Sequence, residues 1–384
     1  MSEQPPVHPL QQLRTRFAAL DDPRVERTKD HHRLDMLTIA LCAVLCGADN
    51  WVEIETFGNA KRAFFEQFLV LPHGIPSHDT CGRVFARLNP QQFQDCFRAW
   101  VQDLMRASGG QLQGVVARDG KCLRGSRASE QGQDASYMVS AWAEANRLVL
   151  GQVKVDDRSN AITAIPVLLK LLELTGCIVT IAAMGCQTAI AAAIHGAGAD
   201  YVLALQGNQG TLHDDVALML RHEEATAFRE VSHQTTTTME KDHGRRETRH
   251  YWLIDDRPYL DYLNEEGAWA NLQSSGMVSA EREIAGVLTC ETRYYICRVG
   301  TVEEFARAAR SHWGIENRVH WVLDVALRED EHRARTDDAP QNMAVLRHMA
   351  LNLLRQEKTG KGGLKARRLR AGGDDAYLLR VLRG

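Results

Sequence analysis

The 384-residue chain is predicted to be an α/β protein built on a mixed sheet, with helices ahead of the sheet and a β-rich stretch interrupting it. Three observations predict this. Apolar residues recur at three- and four-residue spacing over residues 10–106, the mark of helices with one buried face. From Gly114 the period changes to short β-branched runs, and over residues 207–300 helical spacing is lost. It returns at Val302 and continues through Leu354.

Within the first block, Leu34, Leu37, Ile39, Ala40 and Leu41 begin an apolar helix, and Trp51, Ile54, Phe57 and Phe64 continue the pattern. Leu71-Pro72-His73-Gly74-Ile75-Pro76 breaks it as a loop, after which Ser77 or Asp79 is placed to cap a helix through Val84 and Leu88. Another helix is expected from about Pro90 to Met105, and Ser108-Gly109-Gly110 ends the block. Gly114-Val115-Val116-Ala117-Arg118 then reads as a buried strand stopping at Asp119-Gly120. Ser136 to Ala143 and Leu148 to Val155 read as two further strands joined by a turn at Glu144-Ala145-Asn146. Ile162 to Leu174 is an apolar helix with Ser159 or Asn160 as its cap, Cys177 to Ile181 a strand, Thr188 to His195 a helix and Tyr201 to Leu205 a strand.

The resulting order, β-β-β-α-β-α-β, is an antiparallel meander followed by crossover units. It fits a ribonuclease-H-like fold and departs from the strict alternation of a doubly wound sheet. The expected organisation is a helical N-terminal accessory or DNA-binding domain over 1–110, a first core part over 111–206, a β-rich insertion over 207–300, a second core part over 301–357 and a basic tail over 358–384. Strand-like pieces in the insertion are Glu247 to Leu253, Gly276 to Glu283 and Arg293 to Val299, and the one low-complexity tract is Thr235 to Thr238.

Composition excludes several classes. Nine cysteines, an odd number with no CxxC pair, argue against a disulfide framework or a zinc ribbon and suit a reducing cytoplasm. The N-terminal Met-Ser-Glu-Gln-Pro-Pro has no basic segment leading into an apolar stretch, so no signal peptide is visible. The longest apolar run, around Met36 to Cys46, is too short to span a bilayer, so no membrane partner is expected. A net charge of −3 does not mark a nucleic-acid binder, but charge is segregated. Lys358, Lys361, Lys365, Arg367, Arg368 and Arg370 follow one another with no acid among them. Such a stretch either follows a phosphate backbone or forms a solvated tail.

Two segments carry candidate chemistry. Asp119 ends the first strand of the sheet, where a carboxylate can hold a hard divalent ion. An Asp-Gly after a strand is also an ordinary turn. Asp156 and Asp157, after the third strand, are turn residues or an alternative carboxylate source. In the second segment, His312, Glu316 and His320 fall four apart on one helix face, which admits a zinc site and a zinc-dependent hydrolase as an alternative function. The plainer reading is a solvated polar face.

Asp119-Gly120-Lys121-Cys122-Leu123-Arg124-Gly125-Ser126 resembles the first-aspartate motif of the H-repeat-associated, ISAs-type DDE transposases. His312-Trp313-Gly314-Ile315-Glu316-Asn317, with His320-Trp321 and Leu323-Asp324-Val325, resembles the motif that carries their catalytic glutamate. The run Ala40 to Asp49, Gly74 to Thr80, Ala182-Ala183-Met184-Gly185-Cys186-Gln187, Gly207-Asn208-Gln209 and His243-Gly244-Arg245 fall in the family's order, so the resemblance covers residues 20–382.

The resemblance implies a bacterial transposase acting in the cytoplasm, nucleoid-associated, on double-stranded DNA at element ends and target, as a homodimer in a synaptic complex. It implies magnesium, with manganese as a substitute, held by Asp119 and Glu316. The middle aspartate of the triad is expected at the end of the Cys177–Ile181 strand, where this sequence has Ala182. The spacings, 182 − 119 = 63 and 316 − 182 = 134, suit a core interrupted before the glutamate helix. Ala161, where an acid is expected, and Gln206, where a lysine is expected, are further departures. Cleavage is therefore expected to be lost, or the chain to be a DNA-binding protein derived from a transposase. Arg245, Arg246, Arg249, His312, Asn317, Lys365, Arg367 and Arg368 are the expected DNA-contacting residues.

Overall fold

The computed structural model describes residues 9–107, 112, 114–127, 134–155, 161–242 and 244–383. The domain break expected at Ser108-Gly109-Gly110, the caps Ser159 and Asn160, the carboxylates Asp156 and Asp157, and His243 lie outside the described residues. Nine strands form one mixed sheet in the order β3-β2-β1-β4-β5-β9-β8-β7-β6, counted along the chain. Residues pack into two compact units, the first comprising 1–111, 120–156 and 316–384 and the second 112–119 and 157–315.

The first unit opens with α1 (Pro9–Phe17), α2 (Arg33–Leu45), α3 (Trp51–Ala60), α4 (Arg62–Phe65), α5 (His78–Arg87) and α6 (Pro90–Ala107). Every residue of α2 from Asp35 to Leu45 is buried, so its apolar run covers all sides rather than one stripe. Asn50 caps α3 by accepting from Glu53 N, and Ser77 caps α5 by accepting from Thr80 N. The end of β1 (Gly114–Cys122) and the hairpin β2 (Tyr137–Ala143) and β3 (Leu148–Val155) belong to the same unit.

The first unit also holds the C-terminal helices, after α7 (Ala161–Lys170), α8 (Thr188–Gly196), α9 (Thr211–Ala225), α10 (Arg257–Leu263) and α11 (Val302–Ile315) of the second unit. They are α12 (Trp321–Val325), α13 (Ala339–Gln356), α14 (Leu364–Gly373) and α15 (Asp375–Arg383). Helix α13 is buried almost throughout, and Asn342, Arg347 and Asn352 bond backbone groups. Asn342 Nδ2 donates to the carbonyls of Phe85 and Leu88, and Asn352 both donates to and accepts from Val149. Buried N–H donors left unpaired at this depth would destabilise the fold, so these four bonds fix α13 against α5 and β3.

In the second unit, Gly114–Arg118 of β1 pair in parallel with β4 (Cys177–Ile181), which pairs in parallel with β5 (Asp200–Leu205). This parallel core, flanked by an antiparallel meander, is the ribonuclease-H-like arrangement. The stretch over 207–300 does not stand apart. Its strands β6 (His233–Asp242), β7 (Arg245–Ile254), β8 (Ser274–Ile284) and β9 (Val287–Cys297) continue the sheet antiparallel, with β9 against β5. Helices α9 and α10 also lie within it, against the expectation that helical structure is absent there. Phe305 of α11 is fully buried among Tyr251, Tyr295, Val278 and Val302, with Tyr295 edge-on at 5.3 Å. The facing residue is glycine for steric reasons: a Cβ on Gly276 would lie 2.5 Å from the Phe305 ring.

Candidate functional site

In the second unit, the last register pair of β1 and β4 is Arg118 with Ile181. Asp119 and Ala182 follow this pair, Ala182 at the carboxyl end of β4, where open α/β sheets bind ligands, and Asp119 within β1, which continues to Cys122 instead of stopping at the expected Asp119-Gly120 turn. Ala182 is extended and half-buried, and its methyl group offers no donor. The loop after β5 closes over the loop after β4: Asn208 Nδ2 donates to the Ala183 carbonyl at 3.0 Å, and Gln209 Nε2 donates to the Cys186 carbonyl. The segments Ala182–Gln187 and Gly207–Gln209, distant in sequence, are thus one structural feature.

His312, near the end of α11, reaches the same strand end. Its Nδ1 lies 3.1 Å from Thr180 Oγ1. Burial, with the Arg293 guanidinium adding to it, pulls the imidazole down to about 4, so the ring is neutral at neutral pH. Arg293 stacks on the neighbouring Trp313, 4.1 Å from its ring centre. Glu316 follows α11 directly, four residues after His312.

In the first unit, Glu316 opens a π-helical turn running to His320. Single π-turns are rare and concentrate at functional sites. The exposed Glu316 carboxylate lies 3.1 Å from Nδ1 of the buried His320. That hydrogen bond, against the opposing effect of burial and aided by Lys121, holds the Glu316 carboxyl below its ordinary range.

The motif that begins at Asp119 is built into the first unit from Gly120 onward. Lys121 is ion-paired with Asp324 and lies 2.6 Å from the buried Glu329. Burial alone would raise Glu329; Lys121, Arg347 and His348 outweigh it and keep the carboxyl below its usual range. The Tyr137 ring lies over Gly120, where a Cβ would come within 2.5 Å of Cε1. A Cβ on Gly125 would run into the His332 carbonyl oxygen and within 2.9 Å of the Asp330 one. Both glycines are therefore required by close backbone approach.

Residues 110–353 match the family model of the transposase DDE domain, and residues 14–101 match the DDE_Tnp_1-associated model. The chain belongs to the DDE transposase family. It is 36% identical over 385 residues to the "H repeat-associated putative transposase YhhI" of Escherichia coli (strain K12), covering 98% of each chain. It is 43% identical over 281 residues to the "Uncharacterized protein in dhlA 3'region" of Xanthobacter autotrophicus, covering 73% of this chain and 92% of that one.

As the chain is a DDE transposase family member, the expected DNA contacts can be sorted by what each side chain already does. Arg368 is buried, donating to the Val44, Ala48 and Ala326 carbonyls and pairing with Asp49 at 2.9 Å. It satisfies carbonyls at the C-terminus of α2, so its expected place along a phosphate backbone is corrected. Arg367 does the same for α13 through the carbonyls of Leu354 and Glu357. Arg249 is buried as well, pairing with Glu247 at 2.6 Å and Glu240 at 3.2 Å, and is likewise corrected. Arg245 lies 3.3 Å from Glu247. Arg246, Asn317 and Lys365 are exposed. No described helix is long and apolar enough to cross a membrane.

Sequence reasoning missed the Lys121–Glu329 pair, the π-turn and the buried Glu247 of β7. The motif spacing held a hint of the first, since Lys121 and Asp324 both fall inside the segments that carry the resemblance.

Proposed function

We propose that this chain is a DNA transposase of the DDE class, a nuclease and strand transferase by descent, whose own cleavage is disabled at Ala182. The observation that carries the proposal is that Asp119 and Ala182 are the residues directly after the last pair of the parallel β1 and β4 register. Asp119 and Glu316 would hold magnesium or manganese, and carboxylates suit such hard ions. When bound, the metal supplies charge stabilisation and an activated water for phosphodiester hydrolysis.

The donor set of this chain is one carboxylate short of a site for two ions, because position 182 carries a methyl group. The reaction expected of the family is hydrolysis at an element end followed by attack of the freed 3′-hydroxyl on target DNA. In this chain His320 orients the Glu316 carboxylate, and neutral His312 fixes α11 on Thr180 of β4. Arg246, Asn317 and Lys365, which point to solvent, are proposed to meet the DNA backbone, positioning it without reading its sequence. Action as a homodimer, in the bacterial cytoplasm at the nucleoid, belongs to the same proposal. Family membership leaves the zinc-hydrolase alternative without support.

The test compares the chain with its Ala182→Asp variant on duplexes carrying the source element's ends, with magnesium. Cutting by the aspartate variant alone is the expected result. If neither cuts while both bind DNA, the chain is a DNA-binding protein of transposase descent, to which Ala161 and Gln206 also point. Cutting by the parent would overturn the role given to Ala182.

A further inference from the structure

The first unit contains an open cleft of about 490 Å³ on the side of α3 and α5, closed by the segment His332–Asp337 that leads into α13. Its floor is aromatic. Trp51 is half-buried, packed on Phe85 at 5.0 Å and edge-on to His332 at 6.0 Å, and it lies over Gly82. Its rim is cationic. Arg83 and Arg87 are one helical turn apart on α5, and Arg333 and Arg335 alternate along the opposite segment, all four exposed.

These arginines differ from most others in the chain. Arg14, Arg16, Arg62, Arg98, Arg249, Arg310 and Arg318 are each ion-paired with a carboxylate. Among the described residues, none of Arg83, Arg87, Arg333 and Arg335 is. Arg83 donates only to the Asp79 carbonyl, and Arg335 only to the Gly125 carbonyl at 3.4 Å. Asp79 and Asp337 also line the cleft, which leaves the four guanidinium charges in excess of the acids by two. On a chain of net charge −3, such a concentration of unneutralised arginine on two walls matches a polyanion that enters between them.

We infer that this cleft is a second DNA-contacting surface, which clamps the sugar-phosphate backbone of duplex DNA between Arg83 and Arg87 on one wall and Arg333 and Arg335 on the other. The inference rests on the reading of the chain as a DNA transposase and adds to it a contact away from the carboxylates. Guanidinium groups present paired N–H donors to phosphate oxygens, which the short, strongly hydrated ammonium of lysine does not match. Trp51 supplies the apolar wall against which a deoxyribose can rest.

The experiment measures binding of the full chain to a fluorescently labelled random-sequence duplex of thirty base pairs by anisotropy, over a series of salt concentrations. Four proteins are compared with the parent: Arg83→Gln with Arg87→Gln, Arg333→Gln with Arg335→Gln, all four together, and Asp337→Asn. Each arginine pair is expected to lower the slope of log affinity against log salt by about 2, since each phosphate contact contributes about 1. Asp337→Asn is expected to tighten binding, which a misfolded variant would not do. Unchanged slopes in either pair, with the parent still binding DNA, overturn the clamp and leave the transposase reading standing. A parent that binds no duplex at all overturns the transposase reading and the clamp with it.

Discussion

Asp119 and Ala182 follow the last register pair of two neighbouring parallel strands, so a carboxylate on one chain segment answers a methyl group on the next. Placing oxygen donors at position 182 is expected to strengthen cation binding at the proposed site. Manganese binding, followed by the loss of the free-ion paramagnetic resonance signal, should strengthen on the order of tenfold or more in Ala182→Asp. Equal binding by parent and variant would remove position 182 from the proposed metal site.

Lys121 is expected to be a stability residue as well as a motif residue. Its ammonium neutralises Glu329, whose side chain is 3% exposed. Lys121→Met leaves that carboxylate buried without its principal partner and should cost roughly 3–5 kcal/mol. Thermal unfolding checks this, and Glu329→Gln in the same chain should restore part of the loss. An unchanged melting temperature in Lys121→Met would show the pair to be idle.

Gly125→Ala is expected to destabilise the chain by about 1–3 kcal/mol, because the new methyl group meets backbone carbonyls of Asp330 and His332 that have no side-chain freedom to yield. The neighbouring Arg124→Ala, at an exposed position, serves as the control and should leave the melting temperature within a degree or two.

Acid sensitivity follows from buried histidines. Burial pulls His312 and His348 down to about 4 and His332 to about 3, while the unfolded chain returns each to about 6.5. Between these limits the unfolded state binds more protons, so stability is complete above about pH 6.5 and falls as pH drops toward 4. Melting temperatures across that window should decline, and His348→Gln should make the decline shallower. A melting temperature independent of pH from 6.5 to 4 would contradict the burial of these rings.

The sheet was legible in the sequence wherever an element is apolar and local. The strands at Cys177 and Tyr201 are apolar runs bounded by turns and stand where the pattern places them, whereas the strand at Gly114 runs past Asp119-Gly120 to Cys122, a polar end that no apolar run announces. Helix α9 was not legible, because only Val216, Ala217, Leu220 and Glu223 of its fifteen residues are buried. Strand β6 reads as a threonine tract and acquires its identity from pairing with β7, which no local pattern announces.

At the candidate site, motif order singles out Asp119, Ala182 and Glu316 as the proposed triad positions. The roles of the arginines were not legible, since charge alone does not separate Arg368, which binds helix-end carbonyls, from the exposed Lys365 three residues earlier. Burial decides between them, and burial is a property of the whole chain.

The pairing of β5 with β9 joins Val202 to Cys297, so a strand of the parallel core waits for a partner 297 − 202 = 95 residues further along. During synthesis that interval lasts on the order of ten seconds at bacterial translation rates. Throughout it, the apolar β5 presents a row of unanswered amides and carbonyls to any strand nearby. A nascent chain stalled between Leu205 and Val287 would be the aggregation-prone species of this protein, and its vulnerability lies in the timing of translation rather than in the finished molecule.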